Sequence, residues 1–233
     1  MIDRPSQPSS DARPPALPSE PATHAAPSQV PFEPAGKRAG PWVVLIVTIL
    51  LGLAIDLGSK WLAFERVAGV AVEVKKADVE AVGPQALQTL IPAHAPVVVI
   101  PHVLDFHLVL NSGAVFGAGQ GLRWFFILFT VAALLFAAGL FARWSDRRDH
   151  ATHIAIGLII SGGIGNLYDR LRFACVGDFL HPLPTARLPL GLKWPGGDGA
   201  LWPYVSNVAD AFLIIGIGLL LIRLWRAPAP AKA

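Results

Sequence analysis

Four long apolar stretches dominate the pattern of side chains between Trp42 and Trp225. They run over about 42–64, 124–142, 152–171 and 208–225, and the second carries no charge inside it. Each comes close to the ~20 residues that a helix needs to cross the hydrocarbon core of a bilayer. A chain of 233 residues is too short to bury four all-round apolar helices in water. The pattern therefore predicts four transmembrane helices. The connections between them follow a different period. Residues 67–74 (Val-Ala-Gly-Val-Ala-Val-Glu-Val) and 97–110 are rich in β-branched side chains and partly alternating, which predicts short strands and a small sheet at the membrane surface. Residues 192–204 are Gly- and Pro-rich and carry Trp194, Trp202 and Tyr204, as in a loop anchored by aromatics at headgroup depth. Residues 1–36 are rich in Pro, Ser and Ala with almost no large apolar side chains, so a disordered tail is expected there. That segment has no apolar core of a secretory signal.

Composition sharpens the picture. Only 15% of residues are charged, against ~25% in soluble domains. The net charge is +3 and the basic residues are scattered, so nothing suggests a nucleic-acid partner. Cys175 is the only cysteine, which excludes an intrachain disulfide and a Cys-based metal site. With no His close by in the chain, Cys175 reads as a small buried apolar residue. Lys37 and Arg38 precede the first helix, Arg143, Arg147 and Arg148 crowd the connection between the second and third, and Arg223 and Arg226 close the fourth. The positive-inside rule makes that side cytoplasmic and puts both termini there.

Four aspartates lie at or just beyond the opposite ends of these helices: Asp56, Asp169, Asp178 and Asp210. A charge at a helix centre costs ~2.5–3.5 kcal/mol on insertion scales, so each invites an explanation. Asp56 has Lys60 at i+4, a pair expected to neutralise itself in a structural role. Asp169 precedes Arg170, with Asn166 one turn before it, as in a polar clasp between helix ends. Asp178 and Asp210 have no neighbouring cation in sequence. Asn207 and Asp210 have the spacing of a capping box, which explains Asp210 without chemistry. Alternatively, two unpaired carboxylates brought together share one proton and act as general base and general acid in hydrolysis. The sequence offers no HExxH, GxSxG or Walker A pattern. A proton-coupled transporter and a structural scaffold, both using intramembrane Asp, are the competing readings.

Short motifs in order along the four helices resemble the bacterial lipoprotein signal peptidases (signal peptidase II). They are Asp56-Leu-Gly-Ser-Lys60, Asn111-Ser-Gly-Ala-Val-Phe-Gly117, Gly163-Ile-Gly-Asn-Leu-Tyr-Asp-Arg170 running on to Val176-Gly-Asp-Phe179, and Asn207-Val-Ala-Asp210. The resemblance covers about 42–225. It implies a membrane all-α bundle of four helices with a small periplasmic β-sheet or cradle, over a domain at 37–226 with outer loops at 65–123 and 172–207 and a short cytoplasmic tail at 227–233. It implies an aspartic endopeptidase without metal or organic cofactor, sited at the periplasmic face of the inner membrane. Its substrates would be diacylglyceryl-modified prolipoproteins, cut before the lipidated cysteine, with membrane lipid as the other partner and globomycin as an expected inhibitor. A monomer is the default. Carried over by position, Asp178 and Asp210 would be catalytic, and Asn111, Gly113, Asn166, Arg170, Asn207, Asp56, Lys60 and Asp169 would bind substrate or shape the site. Asn111, following a strand, would present its amide to the peptide backbone. The sequence departs from the family pattern in its long tail, its enlarged outer loops, Ser112 in place of Thr, and Gly177 before Asp178 in place of Val.

Overall fold

The computed structural model describes residues 31–113, 119–194 and 199–226. Residues 1–30 of the expected tail, 114–117 of the second motif and the tail at 227–233 lie outside the described residues. All elements below belong to the compact unit Phe32–Ala233. In chain order they are α1 (Ala39–Arg66), α2 (Lys76–Val82), β1 (Val97–Ile100), β2 (Leu104–Asn111), α3 (Arg123–Trp144), α4 (His150–Arg172), β3 (Val176–Pro182) and α5 (Val208–Arg226).

Helices α1, α3, α4 and α5 are each long and apolar enough to span a bilayer. Their outer faces carry large exposed apolar side chains, with Leu50, Leu128, Leu135 and Leu224 between 61% and 71% exposed. Such a surface is stable only against lipid. Helix α4 is the hub. In its most apolar stretch 56% of residues are buried, against 11–17% in the other three, and it packs on α1, α3 and α5. Small residues permit this contact, as is usual between membrane helices. Gly162 of α4 lies against the backbone of Ala209 in α5, where a methyl group would strike the Ala209 carbonyl.

The three basic clusters gather at one end of the bundle. Pro34 pairs with Asp146, Glu33 binds both Arg38 and Arg147, and Arg223 of α5 binds Asp149 before α4 at 2.8 Å. Residues 33–35 of the expected tail are therefore tied down. Ala35 is buried and donates its N–H to the Ser145 carbonyl at 2.9 Å, within the apolar cluster of Leu45, Phe141 and Ile156.

The other end carries an antiparallel sheet of order β1-β2-β3. The expected strand at 97–110 is two strands joined by a turn at 101–103. Residues 67–74, expected as a strand, form turns and extended coil instead. Their apolar side chains, among them Val67, Val72 and Val74, pack into the core beneath the sheet rather than pairing along a ladder. The inserted segment after Lys75 folds as α2 and a short 3-10 turn over that core, burying Val79 and Leu87. Strand β3 has no counterpart among the expected elements, yet it carries Asp178. Its period of two decides what Asp178 faces. Leu108 and Leu110 of β2 and Phe179 of β3 point into the core, whereas Asn111, Val176 and Asp178 line a cavity on the opposite side.

Candidate active site

Asp178 sits in the middle of β3 opposite Val109, and Asn111 lies diagonally across the ladder from it. Side chains on one face of such a pair are within reach. Asn111 donates Nδ2–H to Asp178 Oδ2 at 3.1 Å, and its own Oδ1 accepts the N–H of Gly113 at 2.9 Å. Both ends of the Asn111 amide are thus engaged inside the protein. One Nδ2–H of Asn111 thus holds Asp178.

Asn207 and Asp210 open α5. The capping box expected from sequence forms: the Asp210 N–H donates to Asn207 Oδ1 at 3.0 Å, and the Asn207 N–H donates to Asp210 Oδ2 at 3.3 Å. This does not exhaust either side chain. Asn207, fully buried, also donates Nδ2–H to Asp178 Oδ1 at 2.6 Å and to Asn166 Oδ1 at 3.1 Å. The free oxygen of Asp210, Oδ1, accepts from Asn166 Nδ2 at 2.7 Å. A backbone bridge brings these parts together. Ser206, just before Asn207, pairs with Leu180, two residues past Asp178, through N–H···O bonds of 2.7 and 2.8 Å.

Asp178 and Asp210 therefore line one cavity of about 300 Å³ between the sheet and helices α3, α4 and α5. Asparagine amides serve both carboxyls, and among the described residues no ion pair reaches either one. Burial, and then the Asp210 charge beside it, push the Asp178 carboxyl from its ordinary 3.8 up to about 7. Arg170 borders the same cavity but bonds to carbonyls, those of Asn166 at 3.3 Å and Gly113 at 3.1 Å. It braces the turn after β2 against α4 and leaves the two carboxyls without a salt bridge.

Behind the cavity lies a second polar cluster. Lys60 Nζ contacts Asp56 Oδ2 at 2.9 Å, Asp169 Oδ2 at 2.9 Å and Asn166 Oδ1 at 3.2 Å. The self-contained pair of Asp56 and Lys60 expected from their i+4 spacing is thus shared. The partner of Asp169 is Lys60 rather than Arg170, because successive residues on a helix point about 100° apart. Asp56 Oδ1 accepts the Ala209 N–H of α5 at 2.9 Å, and Asp169 Oδ2 accepts the Gly177 N–H at 3.4 Å. One lysine and two carboxylates so tie α1, α4, α5 and β3 together. At Gly165 helix α4 lies tight against α1, and a methyl group there would strike the Asp56 carboxylate. Asp56 is held from both sides and cannot yield. Gly165→Ala is expected to cost about 1–3 kcal/mol, the usual range for overpacking, read as a lower melting temperature of the detergent-purified protein. A wild-type melting temperature would show that α1 and α4 can part freely.

Cys175 is buried in the core under the sheet, and burial pushes its thiol up to about 12, so it stays protonated and inert. Gly177 faces that same core. A side chain there would meet the ring of Phe64 at 2.9 Å, so Phe64 occupies the space a Val side chain would need.

Known proteins are similar to this chain over most of its length. The family model described as Signal peptidase (SPase) II matches residues 48–226. The lipoprotein signal peptidase of Nitratidesulfovibrio vulgaris (strain DP4) is 34% identical over 192 residues, covering 79% of this chain and 93% of that protein. The lipoprotein signal peptidase of Halothermothrix orenii is 38% identical over 130 residues, covering 54% of this chain and 76% of the relative. Among solved structures, a bacterial membrane enzyme determined by the in meso method at 2.3 Å resolution superposes with a TM-score of 0.57 at 22% identity, over 82% of this chain and 92% of the other.

Proposed function

Since the chain belongs to the signal peptidase II family of lipoprotein signal peptidases, and is therefore a membrane peptidase, we propose that it works as an aspartic endopeptidase with Asp178 and Asp210 as its catalytic pair. Family membership removes the transporter and scaffold alternatives. One observation carries the mechanistic reading. Two carboxyls from separate elements, β3 and α5, line one cavity, are fastened by amides and, among the described residues, form no ion pair, so that burial and the Asp210 charge push Asp178 towards its protonated form.

Two such groups hold one proton between them near neutral pH and titrate as a unit. The ionised member takes a proton from a water as that water attacks the peptide carbonyl. The C–N bond then breaks, and the protonated member supplies the proton to the leaving amine. The bond cut would be the one on the amino side of the lipidated cysteine. The cavity walls suit such a substrate, since Phe129 and Leu134 of α3, Ile159 of α4 and Leu213 of α5 offer apolar surface beside the polar floor. A diacylglyceryl group can remain among these helices while the peptide reaches the carboxyls. With the basic end of the bundle cytoplasmic, the site opens at the periplasmic face of the inner membrane. A globomycin-like inhibitor would compete for the same cavity.

The pH profile follows from the raised Asp178. Activity needs the shared proton, so cleavage is expected to fall as pH rises through about 7. Stability runs the same way. The folded state holds this proton more tightly than the unfolded chain, so the contribution is complete below about 3.8 and is lost as pH climbs through about 7. Melting temperature is therefore expected to decline across this window in wild type and less so in Asp178→Asn. A wild-type rate that stays flat well above pH 7 would contradict a shared proton.

The direct test is a gel-shift cleavage assay in detergent, with a diacylglyceryl-modified prolipoprotein beside its unlipidated form. Cleavage confined to the lipidated substrate supports the proposal. A well-folded protein that cuts neither form, or both equally, would overturn it.

A further inference from the structure

Lys60 does not touch either carboxyl of the proposed pair, yet its donors reach that pair through a single amide. An ammonium group has three hydrogens and no lone pair. Here all three have acceptors: Asp56, Asp169 and Asn166. The Asn166 atom facing Lys60 at 3.2 Å must therefore be oxygen. The two ends of an asparagine amide are assigned by their partners, and this partner allows only one assignment. The other end is then the NH₂ group, which faces Asp210 Oδ1 at 2.7 Å. Asn207 agrees with this orientation, since its Nδ2 also donates to Asn166 Oδ1.

The consequence concerns where the shared proton can sit. Asp210 receives Asn166 Nδ2–H on Oδ1 and the Asn207 N–H on Oδ2, while Asp178 receives Asn207 Nδ2–H on Oδ1 and Asn111 Nδ2–H on Oδ2. All four oxygens face donors supplied by the protein. A proton on either carboxyl has no protein acceptor to turn towards and is left to the pair and the substrate. Turning the Asn166 amide over would put its oxygen 2.7 Å from Asp210 Oδ1. That arrangement is stable only if Asp210 donates a proton to it, which would hold the proton outside the pair.

Resting on the reading of Asp178 and Asp210 as the catalytic pair, we propose that Lys60 is a positioning residue that locks the Asn166 amide with its donor end on Asp210, keeping the shared proton between the two carboxyls. The charged groups facing Asp210 are few. Asp178 comes from β3, Arg170 from α4 and Lys60 from α1. Asp169 and Asp56 stand one step further back, on Lys60. Helix α3 and strand β2 contribute only uncharged residues to the cavity, Thr130 and Asn111 among them.

The test is a double-mutant cycle on full-length protein, read as kcat and KM for the lipidated prolipoprotein and as the pH profile. The loss of one donor to a charged group sets the scale, about 10–100-fold in rate. Lys60→Met is expected to lower kcat by about that factor with KM within about twofold, and to displace the pH profile. Lys60→Arg, which also donates and cannot accept, should retain more of kcat than Lys60→Met. In an Asn166→Ala background, Lys60→Met should lower kcat no further, because its action passes through that amide. Effects that multiply in the cycle would overturn the proposal, as would a change in KM alone. Lys60→Met strands two buried carboxylates, so Lys60→Met/Asp56→Asn/Asp169→Asn, with no buried charge left unpaired, is read in the same way if the single variant does not fold. Asp210→Asn is the control that separates the two readings. Full activity there removes the catalytic pair itself, whereas a dead Asp210→Asn beside a multiplicative cycle removes only the role of Lys60.

Discussion

Asp178→Asn and Asp210→Asn are each expected to lower the cleavage rate of a lipidated prolipoprotein by about 10³-fold or more. General acid–base catalysis contributes roughly 10²–10⁴-fold, and either change removes one of the two groups that must exchange the proton. Binding should survive, because Asn keeps the shape of each side chain. Stability should survive as well. Asp178 is 1% exposed, and burial together with the Asp210 charge already works against its ionised form. Replacing it with a neutral amide removes that cost but sets its NH₂ against the donor of Asn207 or Asn111, so the melting temperature of Asp178→Asn above pH 7 should stay close to that of wild type. Dead variants with intact melting transitions would identify the pair as chemical machinery. A lost rate accompanied by a sharp drop in melting temperature would instead assign the carboxyls to structure. Wild-type rates in both variants would remove the aspartic mechanism.

The second large effect lies at Asn207. Asn207→Asp preserves the helix cap, because Asp is as good an N-cap as Asn and its oxygen can still accept the Asp210 N–H. It replaces the Nδ2 donor, 2.6 Å from Asp178 Oδ1, with an oxygen of a third carboxylate. Like charges at that distance cannot all ionise, so an extra proton enters the cluster and the pair no longer shares one proton near neutral pH. The rate at pH 7 is expected to fall by about 100-fold or more, on the scale of a lost donor to a charged group together with the new repulsion. Asn207→Ala separates the two roles of this residue. It loses the cap, at about 1 kcal/mol of helix stability, and also the tether on Asp178. If Asn207→Asp keeps the wild-type rate and pH profile, the amide contributes only the cap.

Much of the membrane bundle was legible along the chain. The stretches at 42–64, 124–142, 152–171 and 208–225 mark all four long helices to within a few residues, because a lipid-facing helix must be apolar over a fixed length. The capping box at Asn207 and Asp210 was legible for a similar reason: it is local, and its spacing is its mechanism. The small sheet was harder to read. Residues 67–74 alternate like a strand but serve as core filling, since a period of two is satisfied by any extended chain packed on one side. Strand β3 was missed because Gly177 and Asp178, both poor strand residues, interrupt its apolar pattern. Asp178 had looked like a loop residue beyond a helix end. In the fold it is the middle of a strand whose alternation turns it away from the core.

The sequence by itself determined the solvent, the number of spans and which residue types were available for chemistry, because each of these depends on local composition and short-range period. Only the tertiary structure decided the partners. Lys60 pairs locally with Asp56, yet it also serves Asp169 and Asn166 on α4. Asn207 caps its own helix, yet it reaches Asp178 because Ser206 is bridged to Leu180 across 26 residues of chain. Such contacts have no period along the sequence. They form where buried polar groups, excluded from water, must find one another, and the packing of α1, α4, α5 and β3 determines which ones do.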